Sequence, residues 1–235
     1  MSESIPRRVE SPNPTGQGSS AIDSSRLLAW VEPAIVTEFA PSPFDPAHAR
    51  LTLDAAGRSA DDHERFLRRW NGCYALHGAL HLFGACAEPP NQSLDAWNRN
   101  DGWRASFGML VEGCRFFAES AFGDQFGYRE GRVVRLRALE ARIEPVAATF
   151  SQWLESVLLD PHRWISVDLF EDAVRRHGSL PFGGHFGPPP AWTPSAAGLR
   201  ADQVVVLPAR DNMELRGAAS IFASSNTRPA FGRSR

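Results

Sequence analysis

The sequence predicts an α+β fold, with a mostly antiparallel sheet packed against several helices. Three observations predict it. First, three β-type runs follow one another at 115–119, 125–136 and 142–147. Second, the middle run reverses at Glu130-Gly131, where glycine supplies the positive φ of a tight hairpin turn. Third, an amphipathic helix starts directly after the last run. Thr149 stands at its N-cap, and Gln152 follows at the capping-box spacing. Phe150, Trp153, Leu154, Val157 and Leu158 repeat at helical intervals, so one stripe faces a core. Asp160-Pro161 ends it.

The remaining elements are read in order. Residues 27–39 suggest a short helix broken near Pro33, and 40–46, with three prolines, an irregular loop. Residues 61–70 form a helix with Ser59 as N-cap and acids in its first turn. Arg65, Arg68 and Arg69 crowd its last turn before Asn71-Gly72, so both ends complement the helix dipole. Residues 74–83 hold one or two strands, and 94–97 a helical turn. A second helix at 167–177 ends before Gly178. A Gly/Pro loop covers 180–194, a late strand 203–207, and a small helix 213–222. The expected core includes Phe66, Trp70, Leu82, Phe126, Val134, Trp153 and Leu154. The domain runs from 26 to 222. Residues 1–25 form a Ser/Pro/Gly-rich disordered tail, and 223–235 a polar one.

Composition narrows the functional classes. The chain has 235 residues, 43% hydrophobic and 22% charged, enough to bury a sizeable core. Net charge is −2, without the excess of positive charge that a nucleic-acid binder carries, so no nucleic-acid partner is expected. All 25 basic side chains are arginine, a bias that points to genome composition more than to function. No apolar run approaches the ~20 residues of a membrane span, and residues 1–25 lack the apolar stretch of a secretion signal. Three cysteines, Cys73, Cys86 and Cys114, form no C-x-x-C pair and read as reduced thiols in a cytoplasmic protein.

Candidates for chemistry each have a structural counterpart. His77 and His81 lie four apart, but the glutamate of a metalloprotease helix is replaced by Gly78, and no third metal ligand is placed nearby. Glu119 and Asp124 could form an acid–base pair. Asp124 also suits bracing of the turn after Gly123. The loop Gly183–Gly187 could be mobile and expose His185, or serve as a linker. Cys114 beside Arg115 could be a thiolate or an inert core residue. Gly123–Gly127 matches neither nucleotide-binding glycine pattern, and no lysine is present to meet a phosphate. No catalytic, metal or cofactor residue is assigned, and the chain is expected not to be an enzyme.

A family resemblance gives the expectation a direction. Phe122-Gly123-Asp124-Gln125-Phe126-Gly127-Tyr128, then Gly131-Arg132-Val133-Val134, then Thr149-Phe150 with Trp153-Leu154, resembles the late half of a SUKH-superfamily (Smi/Knr-type) domain. Phe66 to Tyr74 and Ala79 to Gly84 resemble its early helix and next strand. The resemblance covers roughly residues 61–160. It implies a SUKH-like single domain and a protein-binding role, in many bacterial members as an immunity protein that neutralises a cognate toxin. A regulatory scaffold of Smi/Knr type is the alternative, and an uncharacterised hydrolase a second one. The partner surface is expected around the hairpin and its neighbours: Trp97, Trp103, Asp124, Arg129, Glu130 and Arg132, a mixture of aromatic and charged residues that interface hot spots favour.

Overall fold

A computed structural model of the chain describes residues 35–36, 43–189 and 198–226. Strand β1 (Ile35–Val36) is followed by helices α1 (Arg50–Ala56) and α2 (Ala60–Arg69), then by strands β2 (Cys73–Ala75) and β3 (Leu80–Leu82). Two short helices, α3 (Leu94–Trp97) and α4 (Arg104–Phe107), lead into β4 (Arg115–Ser120), β5 (Gln125–Arg129), β6 (Arg132–Arg137) and β7 (Arg142–Ala147). Helices α5 (Phe150–Leu159), α6 (Pro161–Ile165) and α7 (Val167–His177) come next, then strands β8 (Gly184–Gly187) and β9 (Val205–Pro208) and helix α8 (Ala209–Asn226).

Strands β1 to β7 form one sheet in sequence order, each antiparallel to the one before. Strands β8 and β9 pair separately. This is the α+β architecture that the sequence predicts. Such a meander follows from short connections, which leave successive strands no room to cross over. The β5–β6 turn has Glu130 and Gly131 at φ 54° and 71°, the left-handed pair that matches the twist of a hairpin.

The sheet is covered on both faces. On one, Phe117, Phe126 and Tyr128 meet α2 and α5 through His63, Phe150 and Trp153. Thr149 caps α5 by accepting from the Gln152 backbone N–H. Ser59 stands at the N-cap of α2 but does not cap it. Its hydroxyl accepts from the Phe150 N–H of α5 and so ties the two helix starts together. On the other face lie α3, α4, α7, β8 and α8. Trp97 and Trp103 pack there against Phe83 and Phe116, and Phe186 against Phe122 and Phe170. Gly127 lies where a methyl group would come within 2.5 Å of the Arg115 carbonyl.

Several expectations change. Residues 180–194 are not all loop, because β8 forms inside them and buries His185 and Phe186. The late strand is Val205–Pro208, and the last helix is longer than 213–222, so residues 223–226 continue it instead of opening a tail. Trp70 is half-buried at the end of α2, while the other expected core residues are buried. Of the helix expected at 27–39, residues 35–36 are strand; the rest lies outside the described residues, as do 1–25 and 227–235.

Candidate functional site

The strand registers place one row of side chains across the middle of the sheet. Tyr74 of β2 pairs with His81 of β3, His81 with Glu119 of β4, and Glu119 with Gln125 of β5. Cross-strand partners share a face, and this row points toward β8 and α8. The Tyr74 and His81 rings stack with centroids 4.2 Å apart and planes 2° from parallel.

Glu119 is the centre of the row. His81 Nδ1 donates to its Oε1 at 3.0 Å, and Gln125 Nε2 to its Oε2 at 3.0 Å. His185 of β8 brings Nε2 to 3.1 Å from Oε2, without hydrogen-bond alignment. Burial alone would raise the Glu119 carboxyl. The facing His185 imidazole and the hydrogen bond from His81 outweigh that and bring it down to about 2. A second ring of contacts holds these partners. Trp97 Nε1 donates to Gln125 Oε1 at 2.7 Å, and Asn212 Nδ2 of α8 to His185 Nδ1 at 3.1 Å. Arg216 donates to Asn212 Oδ1 and to the Pro188 carbonyl. Gly123, at φ 94°, makes this approach possible, since a methyl group there would meet Asn212, His185 and Met213 within 2.9–3.2 Å. His81 Nε2 is buried without a hydrogen-bond partner.

At the β2 end the row borders a surface hollow of about 380 Å³. Tyr74 forms part of its wall. The others come from the turn at His77 and Gly78, from α7 (Phe170, Glu171, Val174, Arg175) and from residues 179–182. The Phe182 ring lies 4.8 Å from Tyr74 and is 40% exposed. The Tyr74 hydroxyl accepts from the Gly183 N–H at 2.8 Å; burial, and then the charge of Glu119, push its pKa up. The rim is strained. Leu76, His77 and Gly78 all have positive φ, at 52°, 58° and 99°. Two successive non-glycine residues in this region cost energy and are concentrated at binding sites.

The expected surface residues are dispersed. Trp97 and Trp103 are 3% and 1% exposed and belong to the core, because they cover the sheet face that the strands leave apolar. Asp124 sits at the start of β5 and accepts from Arg135 at 2.5 and 3.0 Å and from the Ala138 N–H at 3.0 Å. It thus braces β6 and the chain after it, while Ser120 Oγ holds the turn by accepting from the Phe122 and Asp124 amides. Arg129, Glu130 and Arg132 gather at the hairpin tip, the far end of β5 from Asp124. Glu119 and Asp124 thus have separate sets of donors, and Glu119 is approached by imidazoles. His185 is buried instead of exposed on a mobile loop. His77 and His81 do not converge, with His81 in the core row and His77 exposed on the rim. Cys114 is buried with its thiol pushed up by burial, and Cys73 is pushed up to about 12 for the same reason.

Among the described residues, no group of three His, Cys, Asp or Glu is arranged to hold a metal ion, and no helix is long and apolar enough to cross a membrane. No family model matches the chain, and no curated protein matches it. One solved structure that it resembles is the crystal structure of Atu4351 from Agrobacterium tumefaciens. The match has a TM-score of 0.55 and 14% identity, covering 79% of this chain and 86% of that one. At that identity the likeness speaks for the fold alone.

Proposed function

We propose that this chain is a non-enzymatic protein-binding module, acting in the cytoplasm as an immunity protein that binds and neutralises a cognate toxin. The SUKH-like motifs suggest the direction. The observation that carries the reading is the hollow beside Tyr74, a concave surface whose wall includes that end of the four-strand row and whose rim is held in strained backbone. Rigid, aromatic-walled recesses with charged rims are where protein interfaces concentrate their energy. The acids and imidazoles nearest it support the same reading, because Glu119, His81 and His185 are directed at one another inside the core.

The test is to sequence the neighbourhood of the gene and to co-express the chain with a toxin found encoded there. The expected outcome is survival of cells that would otherwise be killed, with a complex recovered by size-exclusion chromatography. Killing despite folded protein would overturn the immunity reading and favour a regulatory scaffold of Smi/Knr type.

A further inference from the structure

A second recess lies between α4 and the turn that leads from it into β4. Its volume is about 300 Å³, and its wall includes Asn100, Arg104, Met109, Val111 and Glu112. Arg104 is only 6% exposed. Its Nε donates to Asn100 Oδ1 at 3.3 Å and its Nη2 to the Val111 carbonyl at 3.0 Å, both uncharged acceptors. Its Nη1 is buried with no hydrogen-bond partner. A guanidinium taken out of water is ordinarily matched by a carboxylate, yet Arg104 forms no ion pair among the described residues. The charges that reach it are of its own sign. Burial, and then the charge of Arg115, lower its pKa. Arg115 in turn donates to the Asn98 carbonyl at 3.4 Å and has no acid as partner among the described residues. At the adjoining Cys114, burial raises the thiol against the opposing charges of Arg129 and Arg104. Glu112, the one acid lining the recess, is exposed and makes no hydrogen bond to these arginines.

We infer that this recess binds a small oxyanion, a carboxylate or phosphate group, whose oxygens accept from the Arg104 guanidinium and from the side-chain amide of Asn100. The anion supplies the negative charge that Arg104 lacks and takes up the unused Nη1 donor. Guanidinium suits the task, because its fixed fork of donors matches the oxygens of either group. Asn100 spends only its Oδ1 on Arg104, which leaves its amide hydrogens for the ligand. Arg115 adds attraction from behind without touching the ligand. Nη1 is closed off from solvent, so the anion reaches it by displacing part of the wall. The turn 108–113 is the part that gives. Gly108 and Gly113 at its ends have φ of 54° and 72°, and a Cβ at either would meet nothing within 4 Å beyond its chain neighbours. Met109 between them is 84% exposed. The site is separate from the hollow beside Tyr74 and does not depend on the protein-binding reading.

The experiment titrates the whole protein with sodium phosphate and, separately, with sodium acetate, at an ionic strength held constant by sodium chloride. Melting temperature and isothermal titration calorimetry are the readouts. Wild type should show a saturable rise in melting temperature with at least one of the two anions. Tighter binding of phosphate assigns the site to phosphate groups, and tighter binding of acetate assigns it to carboxylates. Arg104→Gln, which removes the charge, should abolish the saturable response. Glu112→Gln is an exposed change that removes a like charge from the mouth of the recess, and it should lower the Kd about threefold. It keeps the test decisive if Arg104→Gln misfolds, since a Glu112→Gln protein with the wild-type Kd would overturn the inference. So would the absence of a saturable response to both anions, or its survival in Arg104→Gln. An equal response to phosphate, acetate and chloride would overturn it too, because that reports general screening of charge and not a site with directed donors.

Discussion

Two buried side chains set the acid tolerance of the fold, in different pH windows. His63 is enclosed by Phe117, Tyr128 and Phe150, and its Nδ1 shares a hydrogen bond of 3.1 Å with the Tyr128 hydroxyl. Burial lowers it from 6.5 to about 3, so it stays neutral in the folded protein while the unfolded chain takes up a proton. Its contribution is complete above pH 6.5 and is lost as pH falls from 6.5 toward 3. Glu119 acts lower. Its carboxyl, depressed from 4.5 to about 2, contributes stability above pH 4.5 that is lost between there and 2. Urea unfolding of His63→Gln, followed across about pH 4 to 8, should show a flatter decline on the acid side than wild type. An unchanged slope would mean that His63 does not govern this window. Glu119→Gln should cost about 3–5 kcal/mol at neutral pH, because it removes the charged partner of His185 and the acceptor of His81 inside the core. A variant with the wild-type denaturation midpoint would show that the row does not act as a brace.

Between elements, distance of approach decides more than composition. Strands β4 and β5 pair at Phe116 and Gly127, beside a register shift between Phe116 and Ala118. Gly127→Ala would put a methyl group 2.5 Å from the Arg115 carbonyl and 2.8 Å from Phe116 Cα, both backbone atoms that cannot move aside. The expected cost is about 1–3 kcal/mol or more, read as a lower melting temperature. A neutral outcome would mean that the bulge absorbs the methyl group. What could be read in advance was local. The β5–β6 hairpin, β7, α5 and α7 lie where their turn and periodicity signals put them, since neighbours in sequence fix them. Ser59 shows where local reading ends: its spacing is that of a cap, yet its hydroxyl caps Phe150, 91 residues away. The Glu119 row was hidden for the same reason, because His185 lies in a segment whose glycines and prolines resemble a loop. Its one visible sign was polarity at His81, Glu119 and Gln125 inside otherwise apolar strands. Trp97 and Trp103 misled because their short helices read as exposed turns, while the sheet face they cover belongs to strands far along the chain.

At the scale of the whole molecule, the region after Gly178 completes the core. Phe186, Met213 and His185 close the sheet face that carries Glu119. Gly217 of α8 meets Ser106 of α4 so closely that a methyl group there would stand 2.5 Å from its Cβ. A chain ending at Gly178 should therefore lose cooperative melting in calorimetry, as it would leave a buried carboxylate facing water and an apolar face open. A truncated chain melting at the temperature of the full one would refute this dependence. The placing of the tryptophans has a further, optical consequence. Trp153 lies under one face of the sheet, while Trp97 and Trp103 lie under the other with centroids 5.5 Å apart and planes tilted by 40°. Two indoles this close and this inclined couple their electronic transitions, whereas Trp153 has phenylalanine rings for neighbours. Near-ultraviolet dichroism thus monitors the closing of one face, and the fluorescence of Trp153, in a background where the other six of the seven tryptophans are replaced by Phe, monitors the other. The protein carries its own pair of spectroscopic probes for asking which side assembles first.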